Sequence, residues 1–294
     1  MSSVAARGGD MVTTEAYDGS EADYPRYLLD RIVEIADPDS LVFFIPNFEE
    51  DPWNNQPVTD YGPHALPFRS YEGAGNIWDR PPTIKGSVLR YHMNGVDEAV
   101  DCADDDLFSM GADGTAPNEP AFSLIIAAKF NNVINSELIT RFDGTNLAEK
   151  CEFRLDSVLG GELRFRIYDN NSTNYIGRIY NTALVENIWY IIIATYNGNR
   201  SQEGIRFFIN GVRVDDTNSS GGAYTAMHNR GVVTSVGYLE NGGGALTNFL
   251  DGDWYGALCT ARQLSDGGVA EGAMAADGSD VLKMTQCYRR LLGI

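Results

Sequence analysis

Carboxylates are the densest chemical groups in this sequence. Asp97, Glu98, Asp101, Asp104, Asp105 and Asp106 crowd a short stretch that follows the Asn94-Gly95 turn. Hard divalent cations take several oxygen ligands, and an acidic loop between strands can supply them. Calcium is the cofactor such a cluster would hold, with Asp97, Glu98, Asp101 and Asp104 as ligands; a solvated acidic loop fits the same residues. The spacing is not that of an EF-hand, because the alternating Asp pattern and central Gly are missing. A second group is Tyr168, Asn170, Asn171, Asn174 and Tyr175, amides and aromatics at a hairpin tip of the kind that bind saccharides, or simply make turns. Trp53 and Trp78 lie in a long polar segment, where they either stack on sugar rings or anchor the loop.

Catalytic patterns do not emerge. A glucanase-type strand carries Glu-x-Asp-x-x-Glu on one face, and the nearest string, Glu34-Ile-Ala-Asp37, has other spacing. A nucleophile elbow needs Gly two residues before its Ser, whereas Val233 precedes Ser235. His64, His92 and His228 stand apart in sequence, and Gly73-Ala-Gly75 lacks the third Gly of a dinucleotide loop. Cys102, Cys151, Cys259 and Cys287 have no paired spacing and read as buried free thiols. No catalytic residue is assigned, and the chain reads as non-enzymatic.

The scaffold is organised around Trp189–Gly211. Trp189, Ile191 and Ile193 fall on one face, and Tyr190, Ile192 and Ala194 on the other. A strand apolar on both faces belongs in the middle of a sandwich. Asn197-Gly198 turns the chain into Ile205, Phe207 and Ile209, and Asn210-Gly211 turns it again. Further strands are expected at Leu41 to Ile45, Val88 to Met93, Phe122 to Phe130, Leu138 to Phe142, Tyr175 to Tyr180, Val232 to Tyr238 and Asp253 to Thr260. Cys151, Phe153 and Leu155 alternate with Glu152, Arg154 and Asp156, and Leu163, Phe165 and Ile167 with Arg164, Arg166 and Tyr168. These two strands read as half-buried and joined across Gly160-Gly161. Thr217 to Arg230 reads as a Gly/Ser/Asn loop.

Helices are expected only near the ends. Tyr24 to Ile35 carries Pro25 in its first turn and an apolar face, and either packs on the sandwich or docks on a neighbouring subunit. The last helix starts near Asp280, ends in Arg289-Arg290 and stops at Gly293. The chain divides into an arm with a short helix (1–38), a sandwich (39–266), and a linker with a C-terminal helix (267–294).

A formal net charge of −19 disfavours nucleic acids and anionic membranes as partners. No apolar run reaches the roughly 20 residues of a membrane span, and the first residues lack an apolar signal core, so synthesis in a host cytoplasm is expected.

Several of these segments together resemble the laminin-G / concanavalin A-like lectin superfamily. The segments are the Trp189 strand with its Tyr196-Asn-Gly198 turn, Phe208-Ile-Asn-Gly-Val212, Ser235-Val-Gly237, Phe249-Leu-Asp-Gly-Asp-Trp-Tyr-Gly256 and Arg262-Gln-Leu-Ser265. The segment from Gly86 to Val100 fits the same order. The resemblance implies an all-β fold: a two-sheet antiparallel β-sandwich (jelly roll) with a short N-terminal and a C-terminal helix. With arms at both ends it also resembles accessory virion proteins of tailed phages. The resulting expectation is a phage virion protein, a capsid decoration or tail-associated component. It would contact other virion proteins or copies of itself through its N-terminal arm and terminal helices. A calcium-assisted lectin binding glycans is the alternative, and a glycoside hydrolase the third reading.

Overall fold

The computed structural model describes residues 24–46, 57–58, 60–72, 91–115, 119–142, 151–158, 160–169, 172–240 and 246–294. The chain opens with helix α1 (Tyr24–Ala36) and strands β1 (Leu41–Ile45), β2 (Pro57–Val58), β3 (Phe68–Glu72), β4 (Tyr91–Asn94) and β5 (Glu98–Cys102). Then come β6 (Phe122–Asn132), β7 (Glu137–Phe142), β8 (Cys151–Ser157), β9 (Leu163–Tyr168), β10 (Tyr175–Tyr180), β11 (Trp189–Tyr196) and β12 (Ile205–Ile209). The last strands are β13 (Val212–Arg213), β14 (Thr217–Gly221), β15 (Thr234–Val236), β16 (Leu239–Glu240), β17 (Leu246–Thr247) and β18 (Asp251–Thr260), followed by helix α2 (Asp280–Leu292).

Two antiparallel sheets hold most of these strands. One has seven strands in the order β1-β18-β6-β11-β12-β13, with β4 beside β1 along β18; the other has nine, β14-β10-β9-β8-β7-β15-β5-β3-β2. Between them lies a core in which Ile192 and Ala194 of β11 meet Phe153 and Leu155 of β8 and Phe165 and Ile167 of β9. The other face of the seven-stranded sheet is apolar too. Ile191, Ile193 and Phe208 pack there against Leu29 and Ile32 of α1 and Met284 and Tyr288 of α2. The two-faced apolar pattern of β11 thus follows from burial between a sheet and a pair of helices.

Both helices spend their apolar faces on their own sandwich, which removes those faces as docking elements for neighbouring subunits. Ser279 caps α2 by accepting from the Leu282 N–H, and Gly293 ends it in the left-handed region. The residues before α2 do not form a free linker. Ala273 accepts from the Arg213 N–H, and the N–H groups of Gly272 and Ala275 donate to the carbonyls of Arg213 and Gly211. Among the described residues no helix is long and apolar enough to cross a membrane.

The Thr217–Arg230 segment also departs from the sequence reading. Its first part is β14, an edge strand paired to β10 from Tyr175–Gly221 to Ile179–Thr217. An edge strand is held by backbone hydrogen bonds and requires no apolar side chains, so its polar TNSSG sequence carried no strand signal.

Candidate functional site

The helices cover one outer face of the sandwich; the other is the outer face of the nine-stranded sheet. Strand pleating sorts its residues. Ile139, Leu155 and Phe165 face the core, so their neighbours Thr140, Arg154 and Arg166, in register across β7, β8 and β9, face outward. Ser235 and Asp101 continue this row on β15 and β5, and Gly177 on β10. The next row carries Glu137, Asp156 and Arg164.

Three arginines and two carboxylates share the centre of this face. Glu137 accepts from Arg154 Nε at 2.9 Å and from its Nη2. Asp156 Oδ2 lies 3.1 Å from Arg154 Nη2 and also accepts from Arg164 Nη2. Arg166 is held more loosely, its Nη2 being 3.7 Å from Asp156 Oδ2. Its guanidinium lies over the rings of Tyr168 and Tyr175, 5.5 and 5.3 Å from their centroids. Gly177 makes room for it, since a Cβ there would sit 2.7 Å from Arg166 Cγ. Glu137 and Asp156 are fully buried beneath these arginines. Burial pushes the Glu137 carboxyl up, against the pull of Arg154. Two polar atoms of the face, Thr140 Oγ1 and Arg166 Nε, are buried and meet no hydrogen-bond partner among the described residues.

The saccharide residues expected from sequence are partly gathered here. Tyr168 and Tyr175 are neighbours with ring centroids 5.6 Å apart. Tyr168 is only 1% exposed, packed with Phe142 and Leu239, so its ring belongs to the protein rather than to a ligand. Tyr175 stays half-exposed at the edge of that cluster. Asn174, at the same tip, accepts from the Asp169 N–H through its carbonyl. Asn170, Asn171, Trp53 and Trp78 lie outside the described residues.

The acidic cluster is dispersed among separate partners. Asp97 accepts from Asn94 Nδ2 in the β4–β5 turn. Glu98 and Asp101 are an odd number of residues apart on β5, so their side chains leave opposite faces of the strand. Asp101 accepts from the Tyr238 hydroxyl at 2.8 Å, and Asp104 from Arg141 Nη2 at 2.9 Å. Among the described residues no three His, Cys, Asp or Glu side chains come together to hold a metal ion. Asp97, Glu98, Asp101 and Asp104, the calcium ligands expected from the sequence, are thus not brought together among the described residues.

Asp104 belongs instead to a buried network. One extra residue on β8 leaves Arg141 opposite Phe153 but Phe142 opposite Cys151. Glu152 is that residue, and it turns inward, where both its oxygens accept from Arg141, at 2.9 Å from Nε and 2.8 Å from Nη2. Arg141 is fully buried, donates also to Thr234 Oγ1, and lies over the Phe108 ring. Glu152 and Asp156, which alternation placed on one face, are thus separated.

The histidines also gain partners that sequence distance concealed. His92 Nδ1 is 2.9 Å from Asp253 Oδ1, whose other oxygen is 2.7 Å from Lys129 Nζ. His228 Nε2 is 3.1 Å from Asp169 Oδ1.

No protein-family model and no curated protein matches the chain. Solved structures do. A mutant Trypanosoma rangeli sialidase displaying trans-sialidase activity aligns with 92% of this chain at 9% identity and a TM-score of 0.52. The fold is a two-sheet antiparallel β-sandwich. The chain spans only 38% of that sialidase. Domain 4 of the GH43 extracellular arabinanase AbnA from Geobacillus stearothermophilus, in complex with arabinotriose, aligns over 84% of this chain and 98% of its own, at 11% identity and a TM-score of 0.48. The CBM40 of a Ruminococcus gnavus IT-sialidase, bound to α2,3-sialyllactose, aligns over 62% and 95%, at 14% identity and 0.41.

Proposed function

We propose that this chain is a non-enzymatic sandwich module that binds carbohydrate on the outer face of its nine-stranded sheet. The observation that carries the reading is Arg166, whose side chain is 12% exposed and whose guanidinium lies 5.3 Å from the ring centroid of the half-exposed Tyr175. A guanidinium offers several N–H donors to saccharide oxygens, and its aromatic neighbour keeps it in position. The half-exposed ring of Tyr175 adds an apolar surface for a sugar. Solved structures of similar fold include domains in complex with arabinotriose and α2,3-sialyllactose, which points to saccharides as the ligand class to test.

Two features support binding over cleavage. Glu137 and Asp156 lie beneath arginines with no exposed surface, and Glu152 is enclosed with Arg141. Neither set offers substrate a free carboxylate pair. The setting we propose is a tailed-phage virion, where the module would be displayed on a capsid or tail; this part rests on the sequence resemblance. Attachment to such a particle would use surfaces other than the apolar faces of α1 and α2.

Glycan-array binding followed by calorimetry tests the reading. The expected result is saccharide binding that Tyr175→Ala weakens while the melting temperature holds and the oligosaccharide stays intact. Hydrolysis of any bound oligosaccharide would overturn the non-enzymatic reading, and binding unaffected by substitutions on this face would overturn the site.

A further inference from the structure

The charges on the binding face do not balance. Asp101 lies in register with Arg69 on β3, and Arg154, Arg164 and Arg166 face Glu137 and Asp156, leaving one cation in surplus among these described residues, within a chain of net charge −19. The surplus can be assigned to one residue. Glu137 engages Arg154 through two oxygens, and Asp156 engages Arg164 through two. Among the described carboxylates Arg166 keeps its 3.7 Å approach to Asp156, which is too long for a hydrogen bond.

Arg166 is also fixed in place. Its side chain is 12% exposed, it rests over the rings of Tyr168 and Tyr175, and Gly177 leaves the space it occupies. An enclosed guanidinium with an unpartnered Nε is an unfavourable arrangement for stability alone. A planar fork of N–H donors matches a carboxylate, which can accept two of them at once. The strongly acidic remainder of the protein repels polyanions, so the matching ligand carries its negative charge sparsely, within an otherwise neutral scaffold.

We propose that the face recognises a carboxylate-bearing saccharide, with the ligand carboxylate on Arg166. This deepens the glycan-binding reading above and rests on it.

The test uses the full chain and saccharides in matched pairs. Sialyllactose and trigalacturonate are each titrated as the free acid and as the methyl ester, with lactose and arabinotriose as neutral probes. At least one free acid is expected to bind on the order of tenfold or more tightly than its ester, the scale of a charge-assisted hydrogen bond. Arg166→Gln should remove that preference, and Arg166→Lys should keep only part of it, because an ammonium lacks the fork. Unchanged melting temperatures and near-ultraviolet spectra establish that both variants fold; if Arg166→Gln does not, Arg166→Lys carries the test. Equal binding of acid and ester, or an acid preference that survives Arg166→Gln, overturns the proposal and leaves glycan binding standing. Binding of the neutral probes alone does the same. Binding of no probe, acid, ester or neutral, overturns the proposal and the glycan-binding reading together.

Discussion

Replacing Arg141 with Met tests how the sandwich closes one end of its core. The substitution conserves much of the volume but removes the guanidinium that Glu152 pairs with among the described residues. Glu152 is fully buried and would keep two donors, the Ser109 hydroxyl at 3.0 Å and the Arg230 N–H at 2.8 Å. Breaking a buried ion pair from one side costs about 3–5 kcal/mol. Unfolding entropy near 2.1 cal/mol/K per residue makes that about 5–8 °C in melting temperature for 294 residues. Burial already pushes the Glu152 carboxyl up while Arg141 pulls it down, so its pKa rises further in the variant. A carboxyl whose folded-state pKa is raised loses stability as pH climbs through that value, so the penalty should be larger at about pH 7 than at about pH 5. Urea unfolding at both pH values measures this, and Arg141→Met/Glu152→Met should regain about 1–4 kcal/mol over the single variant. A single-variant penalty below about 1 kcal/mol, one that ignores pH, or a double variant no better than the single would refute the reasoning.

Other outcomes can be stated more briefly. Asp60, Asp101 and Glu119 all have carboxyls raised chiefly by burial, so the folded form binds protons more tightly than the unfolded chain. Stability should therefore rise as pH falls from about 7 to about 5, and Glu119→Gln should flatten that profile in thermal melts; a steady fall over this range would contradict it. Gly256 sits at φ +62, where an added Cβ would come within 2.8 Å of the Tyr288 ring on α2. Gly256→Ala should cost about 1–3 kcal/mol and expose α2 to limited proteolysis, whereas an unchanged digest would contradict the packing. Among Cys102, Cys259 and Cys287, burial raises the first thiol to about 12, the second further and the third to about 11. Mass-spectrometric mapping after iodoacetamide should find Cys287, the least buried, alkylated before the other two.

What the sequence revealed followed from side-chain periodicity. Leu41–Ile45, the alternating strands β8 and β9, the two-faced β11 and the capped α2 all carry their burial in their spelling, because a strand or helix that buries one face must repeat apolar residues at its own period. The polar edge strand β14 does not, since backbone pairing leaves no mark on residue choice. The candidate site was half legible. Arg154, Arg164 and Arg166 were correctly read as the half-buried strands' polar side, but their surplus charge depends on which carboxylates lie across the sheet. The pairings of His92 with Asp253 and His228 with Asp169 join residues far apart in the chain, beyond the reach of local spacing. Glu152 misled because one additional residue reverses the parity on which the alternation argument depends.

That additional residue also sets a rule for how this protein tolerates change. Cys151 already lies opposite Phe142 and Phe153 opposite Arg141, so removing the residue between them would leave a regular ladder in the same register. The cut would instead take away the carboxylate that Arg141 holds through two oxygens. Chemistry at this point is therefore under tighter constraint than length: deletion of Glu152 and its exchange for an apolar residue should carry similar penalties, since both take the buried Arg141 guanidinium's buried partner away.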